Sequence, residues 1–296
     1  MRILLTGANG FLGAYLQREL QSRGDLFRLG RTSPAEVFAD FSKEIPAIPE
    51  VDLVVHAAGV AHFLPKTAEE EAQFHTVNVQ GTEKLLRRLS ENSLAPKSFV
   101  FISSVAVYGQ ETGKLINEDS PLLGSTPYAV SKILAEQLIL DWGEKQGVST
   151  YILRLPLIVG EHAPGNLGAM QKAIRSGYYF RIGKGDSRKS MVLAEDVAAL
   201  VSRLTGGGGG IYNLTDNVDP KLAELDTVMA LRINKSVKVI PLALIKPLAM
   251  IGDRFSFFPI NTYRLKKLRD ELTFDCSKAK RELNWEPKSV LSWLSK

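Results

Sequence analysis

Short apolar runs alternate with longer amphipathic stretches through the first half of the chain. Arg2–Leu5 reads as a buried strand, and Phe27–Gly30, Leu53–Ala57, Phe99–Ser103 and Tyr151–Leu155 read as further strands. Leu12, Leu16 and Leu20 fall on one face of a predicted helix over Phe11–Arg23. Helical patterns also fill about Glu69–Asn92 and Tyr128–Gln146. Strands alternating with helices predict βαβ units and a parallel sheet with right-handed crossovers. The later part is less regular. Five glycines, Gly206 to Gly210, predict a flexible turn before a strand at Ile211–Leu214 rather than a domain linker.

The longest apolar stretch, Val239 to Gly252, is interrupted by Pro241, Lys246 and Pro247. It is shorter than the roughly 20 residues a membrane-spanning helix needs. A packed helix is the plainer reading. The sharper one is a membrane-surface helix, extended by Phe255, Phe257 and Phe258, with Lys246 and Arg254 facing headgroups. The apolar run at the start is too short for a signal peptide, so a cytoplasmic protein is expected. The chain's 296 residues, 45% hydrophobic and 23% charged, suit one large globular unit or two smaller ones. A single cysteine, Cys276, excludes an internal disulfide framework. His56, His62, His75 and His162 show no metal-ligand spacing, so no metal site is expected. His56 reads as a packing residue at a strand end.

Thr6-Gly7-Ala8-Asn9-Gly10-Phe11-Leu12-Gly13 follows the first strand and opens the first helix. Glycines let backbone amides approach a pyrophosphate, and the helix N-terminus adds unpaired N–H groups and a positive dipole end. The turn therefore nominates Gly7, Asn9, Gly10, Phe11, Leu12 and Gly13 for a dinucleotide. The second strand ends in Gly30-Arg31-Thr32-Ser33, where an acidic residue would bind ribose hydroxyls. Arg31 with two hydroxyls suits a 2′-phosphate instead, so NADP(H) is favoured over NAD(H). Asp40 and Phe41, at the end of the expected next strand, are candidates for adenine contact.

Tyr128 and Lys132 stand four residues apart on one helix face. A neighbouring ammonium favours phenolate, so Tyr128 is expected to have a lowered pKa and to act as an acid or base. Ser103-Ser104 ends a strand at the carboxyl edge of the sheet, where open α/β folds bind ligands.

With these pieces, His56-Ala57-Ala58-Gly59, Asn78-Val79-Gln80-Gly81-Thr82, Ser103 to Gly109, Tyr212-Asn213-Leu214 and Asp275 to Pro287, the sequence resembles the extended short-chain dehydrogenase/reductase family. That family comprises nucleotide-sugar epimerases, dehydratases and reductases. The resemblance implies an α/β fold, a Rossmann-type doubly wound parallel sheet of six or seven strands with a smaller C-terminal α/β substrate domain. The expected division is 1–160, rejoined by about 186–215, for the cofactor, and 161–185 with 216–296 for the substrate. The resemblance also implies Ser104 as catalytic serine, Tyr128 as acid/base and Lys132 at the nicotinamide ribose. It extends the cofactor site to Ala57, Ala58, Gly59 and Asn78, and implies a homodimer through the helices near Glu69–Asn92 and Tyr128–Gln146.

The family's 4,6-dehydratases carry Asp-Glu after the catalytic hydroxyl, whereas this chain has Val105-Ala106, which move no proton. A 4-ketoreductase acting on a nucleotide-diphosphate (amino) sugar is the expected activity, tilted by Arg31. A 4-epimerase is the alternative, and a non-catalytic dinucleotide sensor the reading from another class. The resemblance points to surface-polysaccharide pathways. Asn166 at a helix start and the Arg188-Lys189 pair are candidates for the substrate's phosphates. Family members place an asparagine three residues after the strand arginine, where this chain has Leu157 after Arg154.

Charge is unevenly spread. Residues 1–220 hold 22 basic and 24 acidic residues, whereas 221–296 hold 15 and 8. The +5 total therefore arises beyond the cofactor motifs, which fits an anionic nucleotide-sugar or an anionic membrane surface better than nucleic acid.

Overall fold

A computed structural model describes residues 1–32, 35–61, 63, 65–92, 95–254 and 261–296. Ser33, His62 and the Phe255, Phe257 and Phe258 extension lie outside the described residues. The chain runs β1 (Arg2–Thr6), α1 (Phe11–Leu20), β2 (Asp25–Gly30), β3 (Val37–Phe38), β4 (Leu53–His56), α2 (Ala68–Gln73), α3 (Gly81–Ser90) and β5 (Ser98–Ser104). It continues through β6 (Gly113–Ile116), α4 (Pro127–Gln146), β7 (Ser149–Leu155), β8 (Leu157–Val159), α5 (Gly165–Ser176), β9 (Phe180–Ile182), β10 (Met191–Leu193), α6 (Ala194–Val201) and β11 (Gly210–Asn213). The last part holds α7 (Leu222–Leu231), β12 (Lys238–Ile240), α8 (Leu242–Arg254), α9 (Thr262–Arg269), β13 (Leu272–Phe274), α10 (Ser277–Leu283) and α11 (Val290–Leu294).

Seven parallel strands form one sheet in the order β11-β7-β5-β4-β1-β2-β3. The order reverses between β1 and β4, and a crevice opens beyond the strand ends at such a point. Successive β1 residues feed opposite layers. Ile3 and Leu5 pack with Leu12, Leu16 and Leu20 of α1, whereas Leu4 packs with Leu85, Leu89 and Ile139. This two-sided burial explains the short, wholly apolar strand runs. Three parallel strand pairs, β8 with β10, β9 with β12 and β6 with β13, flank the main sheet.

Two expected elements differ in detail. The helix expected near Glu69–Asn92 contains a π-helical turn, Phe74–Gln80, between α2 and α3. The Val239–Gly252 stretch divides at Pro241 into an edge strand, β12, and α8. Proline has no N–H and cannot continue a ladder, so the chain turns there. Gly206–Gly210 forms a turn pinned by its own backbone: Tyr151 donates its hydroxyl to the Gly206 carbonyl at 2.7 Å, and Gly206 N–H donates to Ser98 Oγ at 2.6 Å.

Candidate functional site

The glycine turn lies at the reversal point. Gly7 has φ +78°, and a Cβ there would meet Ala58 N at 2.6 Å. A Cβ on Gly13 would come within 2.0 Å of the Gly7 carbonyl, so only glycine lets α1 close on the loop. The N-terminus of α1 carries no side-chain cap and no acidic residue in its first turn. Its N–H groups therefore face the crevice, and a phosphate satisfies them without displacing a protein ligand.

A groove of about 430 Å³ runs from this turn across the ends of β1, β2 and β4. Gly7, Asn9, Gly10, Arg31, Asp40, Phe41, Ala57, Ala58 and Gly59 all line it. Phe11 and Leu12 lie beside it at the start of α1, and Leu12 is buried beneath the helix. Asn9 donates its amide to Thr32 Oγ1 at 2.9 Å, tying the first turn to the second. Arg31 is exposed at the groove and makes no ion pair among the described residues, unlike Arg28, which is committed to Glu36. The volume, the uncapped helix end and the cradle that a Cβ would fill fit a dinucleotide.

Asp40 and Phe41 lie beyond β3 rather than at its end. The Asp40 carboxylate accepts from Ser42 N–H and Oγ at 3.0 and 2.8 Å, and these bonds hold it below its ordinary pKa. Phe41 is buried and stacks on His56 with ring centroids 5.4 Å apart, so most of its surface serves the core.

His56 is fully enclosed, and its partners determine its tautomer. Thr82 donates to the Asn78 carbonyl at 2.7 Å and so must accept from His56 Nε2–H at 2.9 Å. Ala58 N–H donates to Thr6 Oγ1 at 3.0 Å, and Thr6 donates onward to His56 Nδ1 at 2.7 Å. Desolvation, assisted by the Lys132 charge, lowers the His56 pKa to about 3. An unfolded histidine protonates near pH 6.5, so His56 contributes stability that is complete above 6.5 and lost as pH falls towards 3. His56→Asn is expected to flatten the acid side of the melting-temperature profile. An unchanged profile in that variant would assign acid loss to other groups.

The π turn carries Asn78 beneath Gly59. Its amide donates to the Val60 carbonyl and to Ser131 Oγ at 3.0 and 2.9 Å, and its oxygen accepts from Val60 N–H at 2.7 Å. Ser131 donates in turn to the Tyr128 carbonyl at 2.8 Å. The groove floor and α4 are thus one hydrogen-bonded unit, and a π turn at a functional site is a recurring device.

Local signals start α4 where they are needed. Thr126 caps it by accepting from Ala129 N–H at 3.2 Å, and Pro127 occupies its first turn. Tyr128, Lys132 and Glu136 then lie along one face. The Lys132 ammonium donates to the Ile102 carbonyl at 2.9 Å and sits 4.5 Å from the centre of the Phe101 ring. A Cβ on Gly59 would be 3.6 Å from Lys132 Nζ, so the lysine reaches the groove floor. Burial lowers its pKa to about 8 while the Glu136 carboxylate draws it back up.

The expected lowering of the Tyr128 pKa is not what the structure shows. Burial pushes the phenol above its ordinary value, and the hydrogen bond from Ser104 only partly offsets this. The Lys132 ammonium donates to the Ile102 carbonyl and is not among the groups that lower the phenol's pKa. The arrangement therefore keeps the phenol protonated, suited to giving a proton to a developing alkoxide. Ser104 ends β5, and its Oγ also accepts from Ala106 N–H at 3.2 Å.

Glu136 was not singled out from the sequence, although the 128/132/136 spacing places it on the same face. It is buried with Arg154 of β7: Arg154 Nη2 donates to Glu136 Oε2 at 2.7 Å, and Nε donates to both carboxylate oxygens at 3.2 Å. Ser103 also donates to Glu136. Arg154 Nη1 donates to the Tyr108 hydroxyl at 3.1 Å, which donates to Asn213 at 2.7 Å. This network backs the strand end that carries Ser104.

The substrate-side candidates separate. Arg188 donates to the Asp219 carbonyl at 2.8 Å and holds a loop. Lys189 is half-buried, and desolvation lowers its pKa, with Asp270, Lys267 and Glu111 as its charged neighbours. Asn166 is exposed at the second position of α5. Leu157 is half-buried on β8, and Arg154 is committed to Glu136. No cluster of three or more potential metal ligands occurs among the described residues.

A family model, the NAD dependent epimerase/dehydratase family, matches residues 3–214. The chain belongs to that family. The match begins in β1 and ends just after β11, so it spans the whole seven-stranded sheet. Among curated relatives, the N-acetyl-alpha-D-glucosaminyl-diphospho-ditrans,octacis-undecaprenol 4-epimerase of Escherichia coli O157:H7 is 27% identical, aligned over 93% of this chain and 88% of its own. The GDP-6-deoxy-D-mannose reductase of Pseudomonas aeruginosa is 28% identical, over 77% and 79%. The solved structure of RMD from Pseudomonas aeruginosa complexed with NADPH superposes with a TM-score of 0.75 at 22% identity, covering 100% of this chain and 97% of its own. The fold is that of the extended short-chain dehydrogenase/reductase enzymes in this epimerase/dehydratase family, and a nicotinamide dinucleotide is the cofactor class the family implies.

Proposed function

We propose that the chain is a nucleotide-sugar oxidoreductase, a 4-ketoreductase acting on a nucleotide-diphosphate (amino)hexose with NADP(H). The observation that carries this reading is the pair of hydroxyls at the carboxyl edge of the sheet, Ser104 at the end of β5 and Tyr128 in the first turn of α4, close enough that Ser104 opposes the rise in the phenol's pKa. When bound, the nicotinamide supplies hydride transfer to and from a sugar carbon. Ser104 holds the substrate oxygen, and Tyr128 gives or takes its proton. Lys132 at the groove floor holds the ribose side, with Asn78 bracing both. Gly7, Asn9, Gly10, Phe11, Leu12 and Gly13 take the pyrophosphate, and exposed Arg31 takes the 2′-phosphate. Lys189 and Asn166 are the substrate's phosphate ligands. Residues 1–160 with about 186–215 form the cofactor unit, and 161–185 with 216–296 the substrate unit. Dimerisation through the helices at 68–90 and α4 draws support from Val130 and Leu134, exposed on α4. Its compartment is the cytoplasm, and its pathway is surface-polysaccharide synthesis.

A 4-epimerase is supported equally well by the relatives. The relative aligned over 93% of the chain is a 4-epimerase, and its name describes a sugar joined through a diphosphate to undecaprenol. Incubation of a UDP-4-ketosugar with NADPH or NADH, and in parallel of a UDP-hexose with NAD+, separates the readings. Stoichiometric cofactor oxidation with the C4 ketone converted to a C4 hydroxyl supports the reductase. Interconversion of 4-epimers with no net oxidation replaces it with the epimerase. Tight binding of cofactor with neither reaction leaves the sensor.

A further inference from the structure

The α8–α9 pair presents a surface that the cofactor and substrate sites do not use. Ile245, Ala249 and Gly252 form the buried stripe of α8, and Ile245 and Ala249 pack with Leu265 of α9 and with Ile182, Ile240 and Leu242. A surface helix ordinarily turns polar residues outward. Here Leu244, Leu248 and Ile251 form a second apolar stripe at helical spacing, and Met250 is exposed farther round the helix. These four are 63%, 41%, 45% and 67% exposed. Segments 242–254 and 261–269 together hold six basic residues, Lys246, Arg254, Arg264, Lys266, Lys267 and Arg269, against one acidic residue, Asp253. Asp253 is occupied in accepting from Thr262 N–H at 3.0 Å and Thr262 Oγ1 at 2.9 Å. No helix among the described residues is long and apolar enough to cross a membrane.

We propose that the α8–α9 face docks on the surface of an anionic phospholipid bilayer. Leucines beside lysines and arginines match acyl chains beside acidic headgroups. A second copy of this face would oppose like charges, and nucleic acid would leave the leucines without a partner. One end of the face also lies near Lys189, whose charged neighbours include Lys267, Asp270 and Glu111. Tyr263 of α9 donates to Glu111, and Lys267 lies 3.6 Å from the same carboxylate, which follows Tyr108 closely in sequence. A docked molecule therefore holds Lys189 near the headgroup plane, where a lipid-linked sugar diphosphate would present its phosphates. That last step rests on the alternative 4-epimerase reading and its undecaprenol-linked relative; the docking itself rests on α8 and α9 alone.

Co-sedimentation with vesicles of phosphatidylcholine, with and without phosphatidylglycerol, tests it. The full chain is expected to sediment only with the anionic vesicles and to be released as salt screens the headgroups. Leu244→Glu/Leu248→Glu is expected to weaken binding by about tenfold or more. Lys246→Glu/Lys266→Glu, exposed substitutions that leave the apolar stripe intact, should do the same. NADPH binding, measured in parallel, should be unchanged in both variants. Absence of wild-type binding, or binding unaltered in both variants, overturns the proposal. So does a wild-type dimer that Leu244→Glu/Leu248→Glu converts to monomer, because a second copy would then cover the face. Binding that survives a failed ketosugar assay keeps the docking and rejects only the assigned reaction.

Discussion

Tyr128→Phe is expected to lower kcat by about three orders of magnitude while leaving dinucleotide affinity within a few-fold. The substitution removes one oxygen and keeps the ring that packs edge-on to Phe74 at 6.1 Å. The groove is built from β1, β2 and β4, none of which the phenol supports. A residue that only packed would therefore tolerate the change. Burial keeps the phenol protonated, so the loss should be largest where a proton must be given to the substrate. Steady-state turnover with a ketosugar, alongside cofactor titration by fluorescence, provides the check. Activity within tenfold of wild type would remove Tyr128 from the chemistry, and a parallel collapse of cofactor binding would make it structural.

Arg154→Ala is expected to cost about 3–5 kcal/mol of stability, because it leaves the Glu136 carboxylate buried and unpaired. In a chain of this size that corresponds to a fall in melting temperature of roughly 6–10 °C. Both side chains are almost inaccessible, at 2% and 3% exposure. The cost therefore arises from stranding a charge, not from losing a favourable surface contact. Glu136→Leu/Arg154→Met removes both charges and is expected to recover most of the loss. Thermal melts of the three proteins decide. A double variant no better than Arg154→Ala would show that the wider network, not the unpaired charge, sets the cost. Because Glu136 also accepts from Ser103, next to Ser104, the double variant should still show reduced kcat despite its recovered stability.

The periodic signals were readable because they are local. A strand buried on both faces is apolar along most of its length, and β1, β4, β5 and β7 announce themselves in this way. The turn at Gly7 is readable for a similar reason: its backbone geometry and close approach admit only glycine. Tyr128 and Lys132 could be nominated because one helical turn separates them, and both lie on α4. Glu136 obeys the same spacing, yet a lone glutamate on a helix reads as a solvated residue until Arg154 is placed against it.

Tertiary structure decided the electrostatics. Sequence spacing put an ammonium beside a phenol and so suggested a lowered pKa. Folding desolvated the phenol and gave the ammonium to the Ile102 carbonyl, so desolvation, opposed only by the Ser104 hydroxyl, raised the phenol's pKa. Arg188 and Lys189 are neighbours in the chain, but packing commits the first to Asp219 and leaves the second beside Glu111 and Lys267. Likewise the apolar run after Pro241 specifies a helix, but only packing shows which of its two apolar stripes is covered. The sequence by itself determined the layered α/β fold and nominated the glycine turn and the serine, tyrosine and lysine, since these depend on period, turn geometry and short spacings. Which charges meet, and which protons they hold, was decided by contacts between residues far apart in the chain, such as Tyr108 with Asn213, 105 positions apart, and by the water those contacts exclude.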